Sequence, residues 1–356
     1  MSSAEIFDNV LPLPYRVLTL ILLASWLWLL ILRLTQKYQI NLIQILKLDT
    51  PNLAQLIANH EKTSLNITLL TLSSYLFYVI LHKYFEWEIL WNVTPLVIMI
   101  VMISHITRSL RVLETVKRVL RGNIDSINIR TNDILLSDTL MSYQKVLIDL
   151  GIYLCHLINF KSCMPNDQTN IDRTCGQSVA LEFFIGGLPV FIRLKQCAYE
   201  YRLSNFIQKD HLFNFGKYLT GLIFLAITIF LSNHPHYGKI WKIVAFINSC
   251  YSFYWDLNKD WGLFKTGSLR TRRVYPIYYY YSIIAIDFFA RFVWVLKLSS
   301  KDIFINVLLY QSESGIFILQ LLEILRRFLW VILKIENDYI NLNLLDKRSI
   351  ELSVLN

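Results

Sequence analysis

The chain has 356 residues, 54% hydrophobic and 17% charged, with mean hydropathy +0.42 and a formal net charge of +9. That balance excludes an ordinary soluble globular domain, and its long apolar runs are those of membrane crossings. The basic excess falls in short segments between the runs, as cytosolic loops of a membrane protein require, and no nucleic-acid motif accompanies it.

Only helices and closed barrels satisfy their backbone in lipid, and these runs are too long and too evenly apolar for barrel strands. The expected fold is therefore all-α, a polytopic helical membrane protein of about nine transmembrane helices. The first crossing is expected at 15–34; it is too long and Trp-rich for a cleaved signal peptide and reads as a retained anchor. The second and third are expected at 65–81 and 89–106. Residues 108–130, with Arg111, Lys117, Arg118 and Arg121, read as a basic amphipathic piece lying on the cytosolic interface. A fourth crossing is expected at 134–160, followed by a polar loop at 161–177. The fifth, 179–197, contains Gly186-Gly187-Leu188-Pro189 and is expected to be broken or re-entrant. The rest are expected at 213–231, 240–257, 275–296 and 303–333, the last long enough to tilt or kink near Gly315. The chain thus divides into a three-span region with its interfacial helix (1–132), a core with a polar pathway (133–340) and a cytosolic tail (341–356). The tail reads either as a docking segment or as a disordered end.

Segments 33–62, 107–132, 193–217, 258–273 and 334–348 are rich in Lys and Arg, whereas 82–88, 161–178, 232–238 and 298–302 are poor. The alternation places the first set in the cytosol. The C-terminus is then cytosolic and the N-terminus lumenal; a tenth crossing would reverse only the N-terminal part. Cys163 and Cys175 share a non-cytosolic loop, where a disulfide and two free thiols are both open readings. Cys155, Cys197 and Cys250 are expected in the membrane core. The sequons at Asn66 and Asn92 sit at span edges and are expected to stay unused. No His/Cys cluster has metal-ligand spacing, and no cofactor is expected.

Polar residues gather in the second half. Glu323, Arg326 and Arg327 lie in the apolar run 322–338, where each charge costs about 2.5–3.5 kcal/mol at a helix centre. Glu323 is three and four residues from the two arginines, so one carboxylate can reach both, leaving donors for an oxyanion. The alternative is a helix end snorkelling into headgroups. Asp287 and Arg291 are four apart inside a span, either as a structural tie or as part of a pathway, and Trp294 follows them. Asp138 opens the fourth span, and Asn214, Lys217 and Tyr218 open the sixth. Asp256 and Asp260 are also four apart and could hold a divalent ion, but no nucleophile motif, HExxH pattern or third acidic ligand accompanies them, so an enzyme is not expected. Cations and acids spread over several spans suggest an anion path, the cations replacing hydration and the acids limiting how tightly the anion sticks.

These residues resemble the signature of the EXS domain of phosphate exporters. The matching stretches are 252–264 (SFYWDLNKDWGLF), 269–294 (LRTRRVYPIYYYYSIIAIDFFARFVW), 322–337 (LEILRRFLWVILKIEN), 214–218 (NFGKY), 188–196 (LPVFIRLKQ) and 138–142 (DTLMS), with Pro14-Tyr15-Arg16 and Leu48-Asp49 nearer the start. Within that family the chain most resembles a short fungal Golgi branch tied to retention of endoplasmic-reticulum lumenal proteins. It is expected to depart from the exporters in lacking their long N-terminal SPX domain, and it has Thr139 where they usually have Gln.

The resemblance implies inorganic phosphate as substrate. Asp138, Lys217, Tyr218, Arg291, Arg326 and Arg327 would line its path. Asp256, Asp260, Asp287 and Glu323 would orient the cations, and Trp294 would act near the gate. It further implies a Golgi membrane, return of phosphate released by lumenal glycosylation to the cytosol, and a link to recycling of Golgi glycosyltransferases through a cytosolic sorting adaptor. The competing expectation is a sorting factor that transports nothing. A homodimer is left open.

Overall fold

The computed structural model describes residues 3–48, 52–81, 84–85, 88–110, 112–125, 130–159, 161, 164, 179–231, 234–264, 267–298 and 312–355. It is an all-α membrane protein with thirteen α-helices and no strand among the described residues. In chain order these are α1 (Ser3–Val10), α2 (Leu13–Lys37), α3 (Leu42–Leu46), α4 (Leu53–Leu81), α5 (Glu88–Ser109), α6 (Leu113–Leu120), α7 (Arg130–Ser142) and α8 (Gln144–Ile158). They continue as α9 (Val179–Leu203), α10 (Lys209–Phe230), α11 (Tyr237–Trp255), α12 (Ile277–Arg291) and α13 (Glu313–Leu355). A π-turn, Asp256–Asp260, closes α11, and a 3₁₀ segment, Val293–Leu298, follows α12.

Five stretches are long and apolar enough to cross a membrane: α2, α4, Ile89–Ser109, α10 and Ile277–Lys297. The expected count of nine therefore exceeds what length and composition mark among the described residues. Of the other helices, α8 has only 15 residues, while α9 and α13 bury charged side chains such as Arg193, Glu200, Arg326 and Glu336. Burial of that kind is affordable where partners satisfy each charge. Leu69, Ile100 and Ile243, by contrast, are exposed on outer faces, the apolar-out pattern that lipid contact demands.

The helices form two groups joined through α2 and α13. In the first, α2 packs on α4 and α5. In the second, α9 lies between α8 and α10, α10 packs on α11, α11 on α12, and α12 on α13, which returns against α7 and α2. One apolar core gathers around Trp261, Trp330 and Leu333, and another around Leu18, Met102 and Tyr153.

Several expectations need correction. The fourth span is not one helix: α7 and α8 meet at Tyr143, whose hydroxyl donates to the Leu20 carbonyl at 2.8 Å. The fifth is not broken: α9 runs unbroken past Pro189. Gly186 serves close packing instead, because a Cβ there would meet Ile148 of α8 at 3.0 Å, just as one on Gly151 of α8 would meet Ile185 of α9 at 2.7 Å. The Gln144 side chain donates to the Gly186 carbonyl at 2.9 Å, the kind of neighbouring polar support a Pro-containing membrane helix uses. Gly315 falls in the first turn of α13, so it marks a helix start rather than a kink, and residues 341–355 continue α13 rather than forming a disordered end. Cys155 is disulfide-bonded rather than a core thiol, whereas Cys197 and Cys250 are free. Cys163, Cys175, most of their loop and residues 299–311 lie outside the described residues. Asn66 and Asn92 lie within α4 and α5.

Two polar clamps fix the ends of the second group. Glu336, fully buried, accepts from Tyr280 Oη, from the Val274 amide at 2.8 Å and from Arg270 Nη2 at 2.8 Å, while Arg270 also reaches the Trp261 carbonyl and Asn337. This ties the loop between the π-turn and α12 to α13. On the amphipathic helix α6, Arg118 pairs with Asp133 at 2.6 Å and Lys117 with Glu114 at 2.8 Å. The bond from Lys117 holds the Glu114 carboxyl below its ordinary range.

Candidate anion site

A cavity of about 590 Å³ lies among α7 to α13. Asp138, Lys217, Tyr218, Arg291, Arg326 and Arg327 all line it, as do Asp256, Glu323 and Trp294. Asp287 stands behind Arg291 and Arg326, and Asp260 behind Lys217, each paired to those cations rather than facing the cavity. The residues singled out from sequence thus converge on one place, from four helices and two short turns.

The cations differ in how far their charge is already matched. Arg326 donates twice to Glu323, at 2.6 and 2.9 Å, and once to Asp287 at 2.9 Å. Arg291 donates to Asp256 and, one turn back on its own helix, to Asp287 at 3.0 Å. Asp287 therefore sits between two guanidiniums, and both are fixed in direction by bonds to carboxylates. The π-turn places Asp256 here: its wider winding closes α11 with the Trp261 amide on the Asp256 carbonyl at 2.8 Å and leaves the Asp256 side chain buried against Arg291.

Arg327 is different. The expectation that Glu323 would hold both arginines is half met. Arg327 Nε donates to Ser142 Oγ at 2.9 Å, and Ser142 in turn donates to Glu323 at 2.8 Å. Its guanidinium lies 4.6 Å from the Trp330 ring centroid and has no carboxylate within ion-pair distance among the described residues. Lys217 is nearly as unmatched. Its ammonium is 3.8 Å from Asp260, long for a pair, and 4.3 Å from the Tyr218 ring centroid. Asp138 is engaged elsewhere, accepting from Tyr218 Oη at 2.7 Å and lying 3.0 Å from Arg193 Nε. Cations with spare charge, Arg327 and Lys217 among them, flanked by two whose direction is fixed, make a cradle for an oxyanion.

Trp294 is held by its indole N–H, which donates to Ser249 Oγ at 3.0 Å, and meets Trp241 edge-on at 5.8 Å. The Lys297 ammonium lies over the Trp241 ring, 5.0 Å from its centroid. Among the described residues no group of three or more His, Cys, Asp or Glu side chains is spaced for a metal.

Sequence reasoning missed Arg193, Ser142 and Lys145. Arg193 is fully buried, bonds Gln196 at 2.7 Å and stacks 4.8 Å from the Tyr218 ring centroid. It lay inside a matched stretch (188–196), but nothing local pairs it, so only the tertiary contact with Asp138 reveals it. Ser142 also lay inside a matched stretch (138–142), but nothing in its spacing pointed to Arg327 or Glu323. Lys145 lines the cavity beyond Ser142 and makes no hydrogen bond or ion pair among the described residues.

The EXS family profile matches residues 11–340. A protein named ERD1 from Kluyveromyces lactis is 32% identical over 71% of this chain and 71% of its own length. Protein ERD1 of Saccharomyces cerevisiae is 28% identical over 95% of this chain and 96% of its own length. Solute carrier family 53 member 1 of Homo sapiens is 29% identical over 59% of this chain, a match that covers 32% of the solute carrier.

Proposed function

The chain belongs to the EXS family, and from that premise we propose that it moves inorganic phosphate across a membrane, through the cavity lined by Lys217, Arg291, Arg326 and Arg327. The observation that carries this reading is the unequal matching of charge. A phosphate dianion needs cations to replace its water, and those cations must not already be neutralised. Arg327 and Lys217 meet that need, while the bonds to Asp256, Asp287 and Glu323 keep Arg291 and Arg326 from binding so tightly that the anion would never leave. The likeness to a solute carrier supports transport over catalysis.

The proposed setting is the Golgi membrane, with basic segments and the C-terminus facing the cytosol, the N-terminus in the lumen and about nine crossings in all. Phosphate freed in the lumen by glycosylation would return to the cytosol. Its removal would favour glycosyltransferase recycling and retention of lumenal proteins. The support for that setting is the resemblance to the short fungal branch. The test is flux of radiolabelled phosphate in proteoliposomes, wild type beside Arg291→Ala and Arg327→Ala. Flux in wild type with loss in both variants is expected. Well-folded wild type that carries no phosphate under any gradient would favour instead a sorting factor that binds glycosyltransferases and their cytosolic adaptor.

A further inference from the structure

A second cavity, of about 400 Å³, opens between α2, α5, α6, α7, α8 and α13. Its walls are built of side chains such as Val17, Ile21, Met99, Val116, Leu147 and Phe328. Ser25, Thr107, Asn132 and Arg327 also line it but show it little polar surface, so an ordered water, which needs two to four polar partners, finds few there. Along α2 the lining runs from Val17 to Ile31, which at about 1.5 Å per residue is roughly 21 Å, longer than the ~15 Å half-thickness of a hydrocarbon core. The rim faces outward: Ile103 is 46% exposed and Leu120 57% exposed. A slot of this length, apolar and open on a lipid-facing wall, fits a hydrocarbon chain.

The charge at its mouth says which kind. The rim helix α6 is amphipathic, with Thr115, Val116, Val119 and Leu120 on the crevice and its basic residues beside them. Lys117 and Arg118 are taken up by Glu114 and Asp133. Arg108 directly follows the lining residue Thr107, and Arg121 directly follows Leu120. Both side chains are exposed, and neither makes a hydrogen bond or ion pair among the described residues. Two exposed guanidiniums without an ion pair, each one residue from the lining of an acyl-length slot, are complementary to a headgroup phosphate.

We propose that this crevice is a binding site for an anionic phospholipid of the cytosolic leaflet, one acyl chain lying along α2 and the headgroup against Arg108 and Arg121. The site is independent of what the charged cavity carries. The two cavities share Arg327, so a seated chain backs the wall on which the unmatched guanidinium stands.

The test uses the full chain in vesicles of phosphatidylcholine containing phosphatidylserine that bears a photoreactive group on its acyl chain, with adducts mapped by mass spectrometry. Adducts on Met99 and Leu147 are expected, displaced by unlabelled phosphatidylserine and not by extra phosphatidylcholine. Val116→Trp, which fills the slot, should abolish them. Arg108→Gln and Arg121→Gln should keep the adducts but weaken the preference for phosphatidylserine roughly fivefold for each charge removed. Labelling spread evenly around the lipid belt of the wild type would overturn the proposal, without reliance on any variant. So would equal displacement by phosphatidylcholine, or displacement by sterol alone.

Discussion

Asp287 on α12 holds Arg326 on α13 at 2.9 Å while also accepting from Arg291 on its own helix at 3.0 Å, so one buried carboxylate sets the direction of two cavity guanidiniums. Removing its charge leaves both cations under-compensated in a low-dielectric interior. Asp287→Asn is expected to lower stability by about 3–5 kcal/mol, the range for breaking a buried pair from one side. Thermal unfolding in detergent checks the stability loss, and phosphate flux should fall with it. Asp287→Leu combined with Arg326→Met removes both partners but leaves Glu323 without its cation, so only part of the stability should return and none of the flux. Recovery of flux in that double variant would mean that Arg326 is a structural tie only.

Arg327 and Arg193 should separate function from folding. Arg327 leaves no carboxylate orphaned when removed, since its bonds go to Ser142 and the Trp330 face. Arg327→Ala should therefore fold with a stability change of about 1 kcal/mol, yet lose at least about tenfold in phosphate flux. Arg193→Ala strips Asp138 of its buried counter-ion and should cost about 3 kcal/mol or more. Melting curves and flux read side by side decide the matter: equal stability losses for the two would refute the assignment of Arg327 as a cation without a carboxylate partner.

The difference between these arginines also shows what the sequence could and could not reveal. Asp287–Arg291 and Glu323–Arg326 were legible because helical spacing of four or three puts both partners on one face. The convergence of Asp256 on Arg291 was not, because it depends on a π-turn that periodicity does not announce. Neither was the break at Tyr143, since 134–160 reads as one apolar run and only the packing of Tyr143 on Leu20 and of Ser142 on Arg327 favours two helices. Gly186, Gly187 and Pro189 misled in the opposite sense: none of them breaks α9, and Gly186 instead permits the close approach of Ile148 on α8.

Glu336 should matter to architecture rather than to the anion. It is fully buried and accepts from Tyr280 near the start of α12 and from Arg270 and the Val274 amide on the segment that leads into it. Glu336→Gln keeps the shape but replaces one acceptor oxygen by a donor facing existing donors. A loss of about 3 kcal/mol is expected. Reconstituted protein that survives should transport with an unchanged KM, because no cavity residue is touched. A raised KM with normal stability would place Glu336 in the pathway instead.

Trp294 depends on a single hydrogen bond to Ser249 for its orientation across the cavity, and Ser249 is itself tied to the Arg291 carbonyl at 3.2 Å. Ser249→Ala removes the latch at a cost of about 1 kcal/mol and leaves the ring free to swing against Trp241. If Trp294 gates the path, flux in Ser249→Ala should rise by up to about fivefold, the factor that 1 kcal/mol allows when the closed state is favoured. Ser249→Thr, which keeps the hydroxyl, should restore wild-type flux. Trp294→Phe should match Ser249→Ala, because both lack the same bond, and the double variant should add nothing further. Single-variant and double-variant flux in one vesicle preparation checks this. Additive effects would show that Ser249 acts through Arg291 and not through the indole.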